Sequence, residues 1–233
     1  MDNNTVYEWI LNTAFTASRR LQSLICMAPY LAPLVKPGDE VLDLCCGAGP
    51  MSFWFEERGV KVTAIDFAPY MISLAKQEAT RCNSRVKFIE ADIFQYDMGQ
   101  GSYDLVACFG NSISDFPLWD YVKMVEKVAD ALKPGGYFAL EYHDGSYHAM
   151  QGTKQREGVY QESPELVTFA FKEYLPEIGA SVNIIRNETR GEEYERKSYA
   201  YTVPVVHTIT GIVLTREQHI ILDENHFLDI FTK

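Results

Sequence analysis

The sequence predicts an α/β fold: a doubly wound, mostly parallel sheet with helices on both faces, followed by a region of antiparallel strands. Three observations carry that expectation. Between residues 36 and 145, short apolar runs alternate with segments of helical periodicity, the pattern of parallel strands joined by crossover helices. A glycine-rich turn, "DLCCGAGP" (43–50), joins the first run to the first helix. Beyond residue 160, β-branched and aromatic residues dominate with partial alternation, as antiparallel strands require.

The elements follow in order. Trp9, Ile10, Thr13, Ala14, Ala17, Leu21, Leu24 and Ile25 recur at helical spacing, so residues 5–35 read as helical until Pro29 and Pro33 break the pattern. "KPGDE" (36–40) is a turn and "VLDLC" (41–45) a buried strand. Pro50 suits a first helical turn, where its missing N–H is harmless, and Gly59 stops the helix that ends near Arg58. "VKVTAID" (60–66) is a strand, 69–82 a helix opened by Pro69, and "VKFIEAD" (86–92) a strand. "YDLVACFG" (103–110) is nearly all apolar, as expected of a strand covered on both faces. A helix over 118–132, the turn "KPGG" and the strand "YFALEYH" (137–143) complete this unit. "LVTFAFKEYL", "GASVNIIRNETRG" and "EYERKSYAYTVPVVHTI" read as antiparallel strands. "TREQHIILDEN" (215–225) reads as a final helix with Thr215 as its N-cap, and "HFLDIFTK" as a closing strand.

Composition narrows the function. The 233 residues are 47 % hydrophobic, enough for a substantial core, and the formal net charge is −11. Binding to nucleic acid or to an anionic membrane calls for a basic face, so a small-molecule ligand fits better. No apolar run approaches the length of a membrane span, and "MDNNTVYEWI" lacks the features of a signal peptide. The five cysteines (Cys26, Cys45, Cys46, Cys82 and Cys108) contain no C-x-x-C pair. Neither a disulfide framework nor a zinc site is supported, and a reduced, cytoplasmic chain without metal is expected.

Adjacent cysteines at a strand end point in opposite directions, so Cys45 and Cys46 read as small, apolar wall residues. The loop itself is a ligand-binding device. Glycine permits close backbone approach and a helix start offers free N–H groups. Asp43 and Gly49 lie at the carboxyl end of the first strand, where ligands of open α/β sheets bind. Asp66 ends the second strand and can accept both hydroxyls of a ribose; Asp92 follows the third. Taken singly, each acid is also explained as a cap or turn residue.

Four features together, D-x-C-x-G-x-G, the acid after strand two, "ADI" after strand three and "KPGG" before strand five, resemble the class I S-adenosylmethionine-dependent methyltransferases over about residues 36–145. Cys45 stands where that family's first glycine would be. The resemblance implies a Rossmann-like, seven-stranded sheet with an antiparallel β lid insertion. It implies an N-terminal helical cap (1–35), a cofactor-binding core (36–145), a lid or substrate region (146–213), and a C-terminal helix and strand completing the sheet (214–233). It implies S-adenosyl-L-methionine as cofactor and S-adenosyl-L-homocysteine as product. Asp43 and Cys45, Gly47, Ala48 and Gly49 would lie against the methionine part, and Asp66 would bind the ribose. Phe67 and Met71 would flank the adenine, Asp92 and Ile93 would meet its edge, and Phe109, Gly110 and Asn111 would line the reaction centre.

Methyl transfer from a sulfonium is an in-line displacement that asks the protein chiefly for positioning and dryness. "CFGNS" (108–112) resembles the corresponding segment of glycine and sarcosine N-methyltransferases, which implies a small-molecule amine as acceptor; the carboxylate-binding arginine of that subfamily is missing near His143. Asn111 and His143 are the expected catalytic residues. Glu141 and Tyr142 are further candidates, and exposure at a strand end explains all three strand-five residues equally well. His207 reads first as a packed histidine and second as a base. Tyr199 and Tyr201 read as packing residues before substrate contacts, as do Tyr7 and Trp9, while His148, His219 and His226 carry no signal. Rival readings are methylation of a small-molecule oxygen, of a protein or of RNA (which the missing basic face opposes), a nicotinamide-dependent oxidoreductase, and a non-catalytic cofactor-binding protein.

Overall fold

The computed structural model describes residues 14–146, 157–161 and 165–233, with the side chains of 14–21 and 160–161 excepted. Tyr7, Trp9 and His148 lie outside the described residues. Helix α1 (Ala14–Leu31) runs into a 3-10 turn, Ala32–Leu34. The core then alternates β1 (Glu40–Leu44), α2 (Pro50–Glu56), β2 (Lys61–Asp66), α3 (Pro69–Cys82), β3 (Lys87–Glu90), β4 (Tyr103–Cys108), α4 (Leu118–Ala131) and β5 (Leu132–His143). Four further strands follow: β6 (Glu157–Gln161), β7 (Val167–Leu175), β8 (Ala180–Asn187) and β9 (Glu192–Tyr199). Helix α5 (Val203–Thr210) and the hairpin β10 (Thr215–Asp223) and β11 (His226–Thr232) close the chain.

The main sheet has seven strands in the order β10-β11-β5-β4-β1-β2-β3. Pairing is parallel except where β11 meets β5 and β10, so β11 alone runs against the rest. Side chains alternate across a strand, and the two faces accordingly build two cores. Leu42, Leu44, Val106, Phe138 and Leu140 pack under α4 and α5. Val41, Ala64, Leu105 and Ala139 pack under α1, α2 and α3. Tyr121, Met124, Val125 and Val128 fall on one stripe of α4 and are fully buried, each contributing about 1.5–3 kcal/mol of transfer free energy. β6-β7-β8-β9 form a separate antiparallel sheet around Val167 and Ile185. Among the described residues no helix is long and apolar enough to cross a membrane.

Four expectations are corrected. Pro29 lies inside α1 rather than ending it. The bond it forfeits belongs to the carbonyl of Ile25, and both residues face solvent, where water replaces the lost donor. Residues 203–210 form a helix, not a strand: Pro204 occupies the first turn, Thr202 precedes it in extended conformation, and Val206 and Thr210 face the core four residues apart. Conversely, the predicted helix 215–225 with Thr215 as N-cap is strand β10. Its helix-favouring polar residues line an exposed sheet edge where only Ile220 is buried. Pairing with β11, buried from Phe227 to Phe231, overrides their propensity. The C-terminal segment therefore completes the sheet with two strands. "KPGG" is absorbed into β5 with an irregular register opposite Tyr103 to Leu105. A Cβ on Gly136 would meet the carbonyl oxygens of Tyr103, Asp104 and Lys133 at 3.0–3.1 Å, which explains the glycine there.

Candidate active site

The strand order reverses between β1 and β4, and the loops leaving these two strands meet at that crevice. After β1 the backbone passes through left-handed conformations at Cys45 (φ 56°), Gly47 (φ 56°) and Gly49 (φ 82°). Glycine adopts them freely and cysteine does not. Cys45 thus holds a backbone conformation that favours glycine. At Gly49 a Cβ would also strike the Phe88 ring at 2.5 Å.

The acids organise this loop. Asp66 accepts from the Gly47 amide at 2.8 Å and from the Ala68 amide at 2.9 Å, tying the ends of β1 and β2 together. Asp43 is buried and accepts from the Ser52 hydroxyl at 2.5 Å. Burial pushes its carboxyl up to about 7, the Ser52 hydrogen bond opposes this, and the charge of Asp66 adds to it. No lysine, arginine or histidine among the described residues forms an ion pair with Asp43. A buried acid in that situation suits a cationic ligand, and a sulfonium bearing a methionine ammonium fits this donor set. The Ala91 amide bonds the Asp66 carbonyl at 3.0 Å and brings the end of β3 alongside. Asp92 caps its own turn, accepting from the Phe94 amide (2.9 Å) and the Gln95 carboxamide (3.2 Å). Ile93 and Met71 are buried and offer a ligand little side-chain surface, whereas Phe67 is 43 % exposed. Gly47 and Gly49 are buried and Ala48 half-buried.

Across the crevice, Phe109 is buried, and Gly110 (φ 76°) and Asn111 (φ 56°) are left-handed. Both of the latter amides donate to Oε2 of Glu141, Asn111 at 3.2 Å. Oε1 of Glu141 bonds Nε2 of His226. Burial opposes the Glu141 charge, yet the hydrogen bond and positive field of His226, the nearby His143 and the Gly110 amide hold its carboxyl below the usual range. The Asn111 side-chain oxygen accepts from the His143 amide at 3.0 Å, and the His143 ring stacks on His226 with centroids 4.4 Å apart. The two expected catalytic residues therefore meet, with Glu141 holding them together. His226 was invisible in sequence because its place depends on antiparallel pairing of β11 with β5, which sets it opposite His143.

The Cys45 thiol is hydrogen-bonded to Cys108, which together with burial pushes it well above its ordinary value. A thiol raised in this way carries little thiolate at neutral pH and is a poor nucleophile. Tyr201 packs edge-on against Tyr121 at 5.1 Å and donates its hydroxyl to the Phe116 carbonyl. The second sheet is fastened beside the 3-10 turn Ser112–Asp115 that follows β4 by Arg196, whose guanidinium bonds Asp115 at 2.6 and 3.1 Å. A concavity of about 370 Å³ lined by Lys36, Asp39, Asp104 and Lys133 lies at the opposite end of the sheet. Its Lys133 pairs with Asp104 at 2.6 Å, and none of the crevice residues reaches it.

Residues 41–136 match the family model described as "Methyltransferase domain". A demethylmenaquinone methyltransferase of Thermus thermophilus is 34 % identical over 106 residues, which are 44 % of this chain and 46 % of that protein. A ubiquinone biosynthesis O-methyltransferase of Xanthomonas campestris is 33 % identical over 113 residues, 48 % of this chain and 46 % of that protein. The matches thus span under half the length of these curated relatives. An S-adenosylmethionine-dependent methyltransferase of Clostridium acetobutylicum shares the fold over 99 % of both chains, with a TM-score of 0.76 at 16 % identity. Neither curated relative is named for an amine acceptor.

Proposed function

We propose that this chain is a class I S-adenosylmethionine-dependent methyltransferase that methylates a small molecule at a hydroxyl oxygen, a reading supported by the methyltransferase-domain match over residues 41–136. The observation that carries the cofactor half is the acid-tied loop: Asp43 buried beside Ser52, and Asp66 bonded to Gly47. S-adenosylmethionine supplies a methyl group already activated on sulfur. Asp43 and Asp66 attract its cationic end and orient its ribose, Phe67 covers the adenine, and Asp92 and Ile93 border the adenine edge. Cys45, Ala48 and the two loop glycines form the wall.

A hydroxyl acceptor must lose its proton as it attacks, so it needs a base that an unprotonated amine does not. The ring of His143 takes that proton. His226, held by Glu141, supports the ring by stacking, and Asn111, fixed by Glu141 and by the His143 amide, positions the acceptor. The name of the Xanthomonas relative points the same way. This replaces the amine acceptor suggested by "CFGNS". The test is release of S-adenosylhomocysteine from panels of phenolic and amine acceptors. Turnover with a phenolic acceptor, lowered about 10²–10⁴-fold by His143→Ala, is the expected result. Turnover confined to amines, or indifferent to His143→Ala, overturns the hydroxyl reading.

A further inference from the structure

We infer that His207, His219 and Asp229 form a binding site for one divalent transition-metal ion of the zinc class, fastening α5 to the edge hairpin β10–β11. The three side chains come from three elements: α5, β10 and β11. Their candidate ligand atoms all lie within 4.8 Å of one another. Nε2 of His207 is 2.9 Å from one Asp229 oxygen, and Nδ1 of His219 is 2.6 Å from the other. A tetrahedral zinc site with bonds of about 2.0–2.1 Å separates its ligand atoms by about 3.3 Å, so a small widening admits the ion.

The surroundings are those of a built site. Asp229 is fully buried, and Tyr142 donates its hydroxyl to it at 2.7 Å, the outer hydrogen bond that typically orients a ligating carboxylate. The His219 ring is fixed by stacking on Phe227, 5.2 Å between centroids. The two imidazoles stand at 89° to each other, so their in-plane lone pairs can converge on one point. A carboxylate that needed only hydrogen bonds is served by Tyr142 and one imidazole. The side chains of His207 and His219 remain 20 % and 27 % exposed, which gives an ion a route in and an open fourth position.

The second cluster of this composition, Glu141, His143 and His226, does not qualify. Its rings are stacked at 16°, and near-parallel rings cannot both aim their in-plane lone pairs at one ion. One group opposes the site proposed: the Arg216 guanidinium lies against both His207 nitrogens. Arg216 is exposed and must swing aside.

The experiment titrates tag-free, metal-stripped protein with Zn²⁺ and with Co²⁺, reading stoichiometry calorimetrically and the visible absorption of cobalt. One ion per chain, a thermal midpoint raised about 5–10 °C at a hundredfold excess over Kd, and binding weakened at least about tenfold in His219→Ala and in His207→Ala are expected. Arg216→Ala tightens binding, which a purely structural cluster does not predict. His219→Ala sits on the exposed edge strand, and its circular dichroism checks that it folds. Absence of binding, or binding unchanged in both histidine variants, overturns the site and leaves the methyltransferase reading untouched.

Discussion

The Asn111 backbone amide donates to the Glu141 carboxylate at 3.2 Å, and the same oxygen takes the amide of Gly110. One buried charge thus fixes a left-handed two-residue loop at the mouth of the crevice. Removing it in Glu141→Ala leaves two amides and the His226 ring without their acceptor, at a cost of about 2–4 kcal/mol. Glu141→Gln keeps an oxygen and costs about 1–2 kcal/mol. Urea unfolding measures both, and the ordering Ala worse than Gln is the expected result.

Asp43 gives a pH dependence of defined sign. Its carboxyl titrates near 7 in the folded chain against 3.8 ordinarily. Between those values the folded chain holds the extra proton, so stability falls as pH rises through the window, by up to about 4 kcal/mol. A cationic ligand replaces the proton. Affinity for S-adenosylmethionine should therefore rise with pH up to about 7, with proton release on binding. Calorimetry in buffers of different ionisation enthalpy measures that release, and Asp43→Asn should abolish it.

Cys45 in a left-handed conformation costs about 1 kcal/mol. Cys45→Gly relieves this but gains unfolded-state entropy worth about 0.5–1 kcal/mol. The net change in stability should stay within about 1 kcal/mol, with cofactor affinity retained. Cys45→Val, β-branched at the same φ, should cost about 2 kcal/mol or more. Thermal melts of the two variants give the comparison.

The Arg196–Asp115 pair joins the second sheet to the turn Ser112–Asp115, which follows Asn111. Both side chains are a quarter exposed, so the pair is worth about 1 kcal/mol at most. Arg196→Ala should raise KM for the acceptor severalfold and leave cofactor affinity unchanged. A double-mutant cycle with Asp115→Ala isolates the coupling.

Much of the core was legible because local signals agreed with the fold. Pro69 opens α3 and Asn83 closes it in left-handed conformation, and the helix has its expected limits. The acids at the ends of β1 and β2 were legible for the same reason, since strand and turn signals placed them. The errors arose where tertiary pairing decided. "TREQHIILD" is helix-like by composition but serves as an edge strand against β11, and "VPVVHTIT" is strand-like but helical because Val206 and Thr210 must face Tyr121 and its neighbours. The Glu141–His226 pair spans 85 residues, and no local pattern announces such a contact.

The proposed methyl transfer requires that the loop from Asp43 to Gly49, tied to Asp66, hold S-adenosylmethionine. The measurement is a titration of the purified protein with S-adenosylmethionine and with NADH, beside Asp66→Ala. Micromolar binding of S-adenosylmethionine, weakened by about 1–3 kcal/mol in the variant, is the predicted result. Binding of neither, or of NADH alone, would contradict it.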